Sequence, residues 1–170
     1  MIYHLGLGSN LGRRAARLAR ARRLLERRGV EILRASSIYE TEPVDYPDQP
    51  WFLNQVLEVR SALDPVGLLR LAKSIEAEMK RRPGVPKGPR VIDIDVLFAG
   101  GLVLETADLV VPHPRLHRRN FVLAPLAEIR PRLRHPALGK TVAELARTSG
   151  DAGRVRKRPA SRLAGSRRRP

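Results

Sequence analysis

The stretch Gly88-Pro89-Arg90-Val91-Ile92-Asp93-Ile94-Asp95-Val96-Leu97-Phe98 constrains this chain more than any other. Its apolar alternation demands a buried strand, yet two aspartates stand at alternate positions, where carboxylates are disfavoured. Residues two apart on a strand share a face. Asp93 and Asp95 therefore project together, roughly 7 Å apart by twice the strand rise, while Ile92, Ile94 and Val96 face a core. Paired hard oxygen ligands suit Mg²⁺, which keeps waters and takes further ligands from substrate phosphates. Arg90, leading in from a proline-braced turn, is placed to hold a phosphate or to stabilise charge during phosphoryl transfer. An exposed strand face with two solvated acids and a structural ion pair between Arg90 and the acids are the alternative readings of the same residues.

The rest of the chain supplies a frame for that strand. Ile2–Leu7 is a short apolar strand that closes in the Gly/Ser/Asn-rich turn 6–12. A helix follows to about Arg28, with Gly29 at its C-terminus. Val30–Tyr39 is β-rich, Glu40–Trp51 is a loop with three prolines, and Phe52–Ser61 alternates as a strand. Asp64-Pro65 opens a second helix running to about Arg82, and a loop at Pro83–Pro89 leads to the aspartate strand. Gly100-Gly101 is a turn, with Leu102–Glu105 expected as the hairpin partner of 91–98. A last helix is expected near Val142–Arg147. The order βαββαβ predicts an α+β fold, a ferredoxin-like plait with an antiparallel sheet and C-terminal additions.

Charge and composition narrow the function. Lys+Arg total 33 against 17 Asp+Glu, a formal charge of +16, and there is no cysteine, which excludes thiolate metal sites and cysteine nucleophiles. No apolar run reaches the roughly 18 residues of a membrane span, and the start lacks a signal peptide's pattern. A cytoplasmic protein is expected. Eight arginines lie within 13–28, interleaved with Ala and Leu as in an amphipathic helix with a basic face. Residues 151–170 hold eight basic side chains and one acid. They are expected to be disordered and to stand apart from catalysis, so a domain at 1–147 and a basic tail at 148–170 are predicted. Such charge suits either nucleic acid or a small polyanionic substrate. Neither a G-x-G-x-x-G fingerprint nor a P-loop is present. Phe52 and Asn54 share a strand face, the pairing of aromatic and amide that a flat heterocycle requires.

The ordered set Gly8-Ser9-Asn10, Tyr39-x-Thr41-x-Pro43, Phe52-Leu53-Asn54, Gly88-Pro89-Arg90-x-x-Asp93-x-Asp95, Pro112-His113-Pro114 and Arg119-x-Phe121-Val122-Leu123-x-Pro125-Leu126 resembles the 6-hydroxymethyl-7,8-dihydropterin pyrophosphokinases of folate biosynthesis over about residues 1–147. The resemblance implies the same plait and transfer of pyrophosphate from ATP to the pterin hydroxymethyl group, leaving AMP. It implies two Mg²⁺ ions on Asp93 and Asp95. It places Phe52 and Phe121 on either side of the pterin, Asn54 at its edge, and Thr41, Pro43 and Val44 in a loop closing over it. Glu76, Arg81, Arg90 and His113 fall near the nucleotide, Arg119 near the substrates, and Arg81 and Arg90 among the catalytic groups. The family often has Trp before Gly-Pro-Arg, where this chain has Lys87. Expected partners are ATP and a reduced pterin, with no membrane. The alternative is a ferredoxin-like nucleic-acid-binding module using the basic helix and tail, although aspartates on the sheet face would repel a phosphate backbone.

Overall fold

The computed structural model describes residues 1–44, 47–81 and 88–159. β1 (Ile2–Ser9) lies between β4 (Phe52–Arg60) and β5 (Asp93–Ala99), antiparallel to both. Beyond β4 come β2 (Glu31–Ala35) and β3 (Tyr39–Thr41), and outside β3 the chain returns as β8 (Val155–Lys157). The β-rich run at 30–39 is thus two strands. Ser36 breaks it, because its hydroxyl accepts the Val56 N–H at 3.0 Å, a bond that a continuous ladder would give to backbone.

Helices α1 (Arg14–Arg27) and α2 (Pro65–Glu78) cover one sheet face. Leu18, Ala21, Leu24 and Leu25 of α1 and Leu68, Ala72 and Ile75 of α2 pack on Tyr3, Leu5, Leu7, Leu57, Ile94 and Val96. Asp64 caps α2, its carboxylate accepting the Gly67 N–H at 2.7 Å. α2 ends four residues before the expected Arg82. Lys80 adopts φ 62, which stops the helix, and the Arg81 N–H turns back to the Glu76 carbonyl at 2.9 Å. That reversal sends Arg81 toward β5 rather than into solvent.

The opposite sheet face is covered only in part. α3 (Asn120–Ile129), which the sequence reading did not resolve as a helix, and α4 (Val142–Thr148) pack Val122, Leu123, Leu126, Val142 and Leu145 on Val56, Leu97 and Phe98. Leu102–Glu105 does not pair with β5. Gly100, at φ 55, donates its N–H to the Ile2 carbonyl and carries the chain past the end of β1. β6 (Leu104–Glu105) then closes on β7 (Val110–Val111) through the Thr106–Leu109 turn. The expected disorder of 148–170 fails over the part described, 148–159. Few apolar side chains argue against independent folding, but β8 is held by ladder bonds to β3, and Arg154–Glu42 and Lys157–Glu128 pairs flank it.

A buried acid braces the face that α3 and α4 cover. Glu58, with 2% of its side chain exposed, accepts from the Arg130 guanidinium and lies 3.2 Å from His4 Nε2. The hydrogen bonds from Arg130, and its charge with that of His4, lower the Glu58 pKa against the cost of burial. Arg130→Ala leaves this carboxylate without its main partner and should lower stability by about 3 kcal/mol in urea titrations. A group whose pKa is depressed by folding stabilises above its unfolded value and is lost as pH falls through the folded one. The Arg130 contribution should therefore be complete above pH 4.5 and shrink below it, and a pH-independent difference would refute the account.

Candidate active site

β1 has glycine at two successive positions on the face away from α1 and α2. Gly8 stands between Asn54 of β4 and Asp93 of β5, and Gly6 between Val56 and Asp95. These glycines belong to the strand, which runs two residues beyond its expected end at Leu7. A Cβ built on Gly8 would lie 2.9 Å from Asn54 Oδ1. The missing side chains leave the floor of a cavity of about 300 Å³, at the small end of the range for ligand pockets. Leu97 and Val122 separate it from the α3/α4 core.

One end of the cavity is flat and mostly apolar. Half-buried Phe52 and Phe121 line it with exposed Val44 and buried Asn54 and Thr41. Asn54 Nδ2 donates to Thr41 Oγ1 at 2.6 Å, which fixes the amide. An arginine lies over each ring: Arg90 Cζ is 5.9 Å from the Phe52 centroid and Arg119 Cζ is 5.4 Å from that of Phe121. Asn10, itself buried, ties this end to the next. Its Nδ2 donates to Gln49 Oε1 (2.9 Å) and the Pro50 carbonyl (3.1 Å), and its Oδ1 accepts the Arg90 N–H (2.7 Å).

The other end is ionic. Asp93 and Asp95 both line the cavity. Asp93 accepts from Arg81 at 2.6 Å and from Arg90, so the structural ion pair is formed beside the cavity. Burial raises the Asp93 pKa, but the charges of Arg81, Arg90 and Lys73 outweigh it, and the net shift is downward. Asp95 goes the other way. Burial first, then the charge of Asp93, pushes it up to about 6. His113 lines the same wall and is pushed down to about 4, by burial and then by the charges of Arg119 and Arg115, so it is neutral near pH 7.

Of the residues singled out in the sequence, Thr41, Val44, Phe52, Asn54, Arg81, Arg90, Asp93, Asp95, His113, Arg119 and Phe121 converge on this cavity. Pro43 is buried away from the lining. Glu76 is 4% exposed and also lies outside the lining. Its Oε1 accepts the Ile94 N–H at 2.7 Å, and its Oε2 lies 2.6 Å from Arg81 Nη1, so it anchors the β5 entry and aims Arg81. Lys87 lies outside the described residues. Lys73, Glu42, Gln49 and Arg115 line the cavity and were missed. Lys73 had one signal, its position three residues before Glu76 on α2, and it donates to that carboxylate at 3.1 Å.

The donor set fits a hard divalent cation. Among the described residues no group of three or more His, Asp or Glu side chains forms a closed metal cage. Mg²⁺ needs none, since one or two carboxylates with water and phosphate oxygens complete its shell. Burial first, and then the charge of Asp93, opposes ionisation of Asp95, and a cation between the two carboxylates would relieve the second of these.

Comparison with known proteins converges on one family. The family model for 7,8-dihydro-6-hydroxymethylpterin-pyrophosphokinase (HPPK) matches residues 4–131. The chain belongs to the HPPK family. It is 47% identical over 129 residues to the 2-amino-4-hydroxy-6-hydroxymethyldihydropteridine pyrophosphokinase of Bacillus subtilis, covering 75% of this chain and 77% of that one. It is 39% identical over 140 residues to a folic acid synthesis protein of Pneumocystis carinii, covering 82% of this chain but only 19% of the relative. The fold superimposes on the Plasmodium falciparum HPPK-DHPS with pteroate at a TM-score of 0.67 and 18% identity, over 86% of this chain and 42% of that one. HPPK relatives thus occur both at about this length and as parts of much longer chains. No helix among the described residues is long and apolar enough to cross a membrane.

Gly8→Ala should fold cooperatively but displace Asn54, shifting the Asn54 side-chain amide resonances in NMR spectra. Unchanged resonances would show that the glycine is not what sets the position of Asn54.

Proposed function

We infer that the chain transfers pyrophosphate from ATP to 6-hydroxymethyl-7,8-dihydropterin, giving the pterin diphosphate and AMP, in folate biosynthesis. The observation that carries this is the cavity's two-ended chemistry in an HPPK chain: aromatic and amide groups at one end, paired carboxylates and arginines at the other. The pterin lies between Phe52 and Phe121, and its polar edge meets Asn54 and Thr41. A dihydropterin ring presents donors and acceptors in its plane and π surface above and below, which is the complement of that set. A cytoplasmic location accords with consumption of ATP.

The triphosphate lies along Asp93, Asp95, Arg81, Arg90 and His113, with Arg119 near both substrates. The hydroxymethyl oxygen attacks the β-phosphorus and gives up its proton to solvent, the bond from that phosphorus to the α,β-bridging oxygen breaks, and the oxygen leaves with AMP. Asp93 and Asp95 would hold Mg²⁺, two ions in our reading, which would neutralise phosphate charge and polarise the phosphoryl group. Arg81 and Arg90 bind phosphate oxygens and stabilise charge that develops as the bridge breaks. Their orientation is set in advance by Asp93 and, for Arg81, by Glu76. Neutral His113 offers a hydrogen bond without adding charge. Such transfer depends on positioning and electrostatics rather than on a covalent intermediate.

We also read the core as a ferredoxin-like plait. The strand order β5-β1-β4-β2, with α1 and α2 on one face, supports this. β3, β8, α3 and α4 are additions to it.

Incubating the protein with ATP, Mg²⁺ and the hydroxymethyl dihydropterin should yield AMP. Release of ADP instead would replace this reading with simple phosphorylation. Asp95→Ala should lower kcat at least about a hundredfold with the unfolding midpoint retained, and near-normal AMP formation would remove Asp95 from the metal site. Phe121→Ala should weaken pterin binding by roughly 1–3 kcal/mol, as for bases stacked on aromatics, seen as a raised pterin KM.

A further inference from the structure

We propose that residues 149–158, outside the stretch matched by the family model, form a strap that fixes the two aromatic walls of the pterin pocket relative to each other and so sets pterin affinity. The inference rests on the pocket reading given above.

One end of the strap grips the start of α3. The Asn120 backbone N–H donates to Asp151 Oδ2 at 2.7 Å, and Asn120 Nδ2 donates to the Asp151 carbonyl at 2.8 Å. The Ser149 hydroxyl donates to Asn120 Oδ1 at 2.7 Å. The next residue after Asn120 is Phe121. The other end grips the loop that precedes Phe52. β8 pairs with β3, placing Val155 opposite Thr41, and the Glu42 N–H donates to the Arg154 carbonyl at 3.0 Å. The Arg154 guanidinium returns to Glu42 Oε1 at 2.9 Å. Arg154 and Arg156 lie over the Trp51 ring, at 5.0 and 5.3 Å from its centroid, and Trp51 adjoins Phe52. Between the two grips a Cβ on Gly153 would touch Val44 at 3.8 Å, and the Gly153 N–H donates to Asp151 Oδ1 at 2.8 Å.

Asp151 and Arg154 are separated by two residues, so the tie is short and admits little relative movement of its ends. Phe52 and Phe121 come from segments far apart in sequence, and ordering them on a ligand costs conformational entropy. A strap that orders them beforehand removes part of that cost from binding. Among the described residues its hydrogen bonds and ion pairs do not reach Asp93 or Asp95, so its effect falls mainly on the pterin. Asp151 and Arg154 are thus positioning residues.

The test uses the full chain with Asp151→Ala, Arg154→Ala and Arg154→Lys. Calorimetry would measure 6-hydroxymethylpterin binding in the presence of Mg²⁺ and α,β-methylene-ATP, and binding of the ATP analogue alone. The proposal expects both alanine variants to raise the pterin Kd at least about fivefold, with analogue binding unchanged. Arg154→Lys, which keeps the charge facing Glu42 but loses the flat guanidinium over Trp51, should recover part of the loss. Unchanged pterin affinity, or equal loss for both ligands, overturns the strap. If the unmodified protein bound the analogue but no pterin, the pocket reading itself would fall. Amide hydrogen exchange without ligand then still decides whether the tie exists. Faster exchange at the amides of Asp48, Gln49, Trp51 and Phe52 in Arg154→Ala supports it, and unchanged exchange overturns it.

Discussion

The site depends on a steric constraint, the absence of side chains at Gly6 and Gly8. A central strand flanked on both sides has its two faces filled by its own side chains and those of its neighbours. Here one face of β1 carries Tyr3, Leu5 and Leu7 into the helical core, while the other carries glycine where Asn54, Val56, Asp93 and Asp95 stand alongside. The four flanking residues therefore surround a space instead of a side chain. An amide from one neighbour and carboxylates from the other can then meet the same ligand from opposite edges. With alanine at Gly8, the Cβ contact of 2.9 Å with Asn54 Oδ1 would displace the amide.

Much of this was legible in the sequence because it follows from period-two alternation. The spacing of Asp93 and Asp95 places both on one face without knowledge of the fold, and Asp64-Pro65 marks the start of α2. What escaped was long-range or conformational. The end of α2 is set by a lysine with positive φ, a conformation that composition does not announce for a non-glycine residue. The glycines of β1 read as a turn because glycine is the usual turn residue, whereas here the constraint is space across a sheet. Glu76 was expected near the nucleotide but turns beneath the cavity wall, since the Ile94 N–H and the arginine are better partners for a buried carboxylate than an open cavity. β8 escaped because ladder bonds to Tyr39, Glu40 and Thr41 of β3 hold it, with ion pairs to Glu42 and Glu128 beside it, and neither leaves an apolar pattern.

The basic composition also acquires a location. Many arginines are committed to carboxylates within the fold, as in Arg14–Glu40, Arg28–Glu78, Arg60–Glu31 and Arg130–Glu58. Arg14 additionally donates to the Trp51 carbonyl at 2.6 Å, so part of the arginine-rich first helix serves to hold the loop that precedes Phe52. The cavity wall gathers Lys73, Arg81, Arg90, Arg115 and Arg119 against Glu42, Asp93 and Asp95. Cations thus outnumber acids along this wall, which suits a small polyanion, and low-dielectric walls focus that field. In the function proposed above, a divalent ion at the acids would complete the balance once phosphate oxygens draw on Arg81 and Arg90. A polyanion lying across the open sheet would meet Asp93 and Asp95 without such compensation. The same net charge that left nucleic acid and small polyanion equally open in composition therefore favours the small polyanion once its position is known.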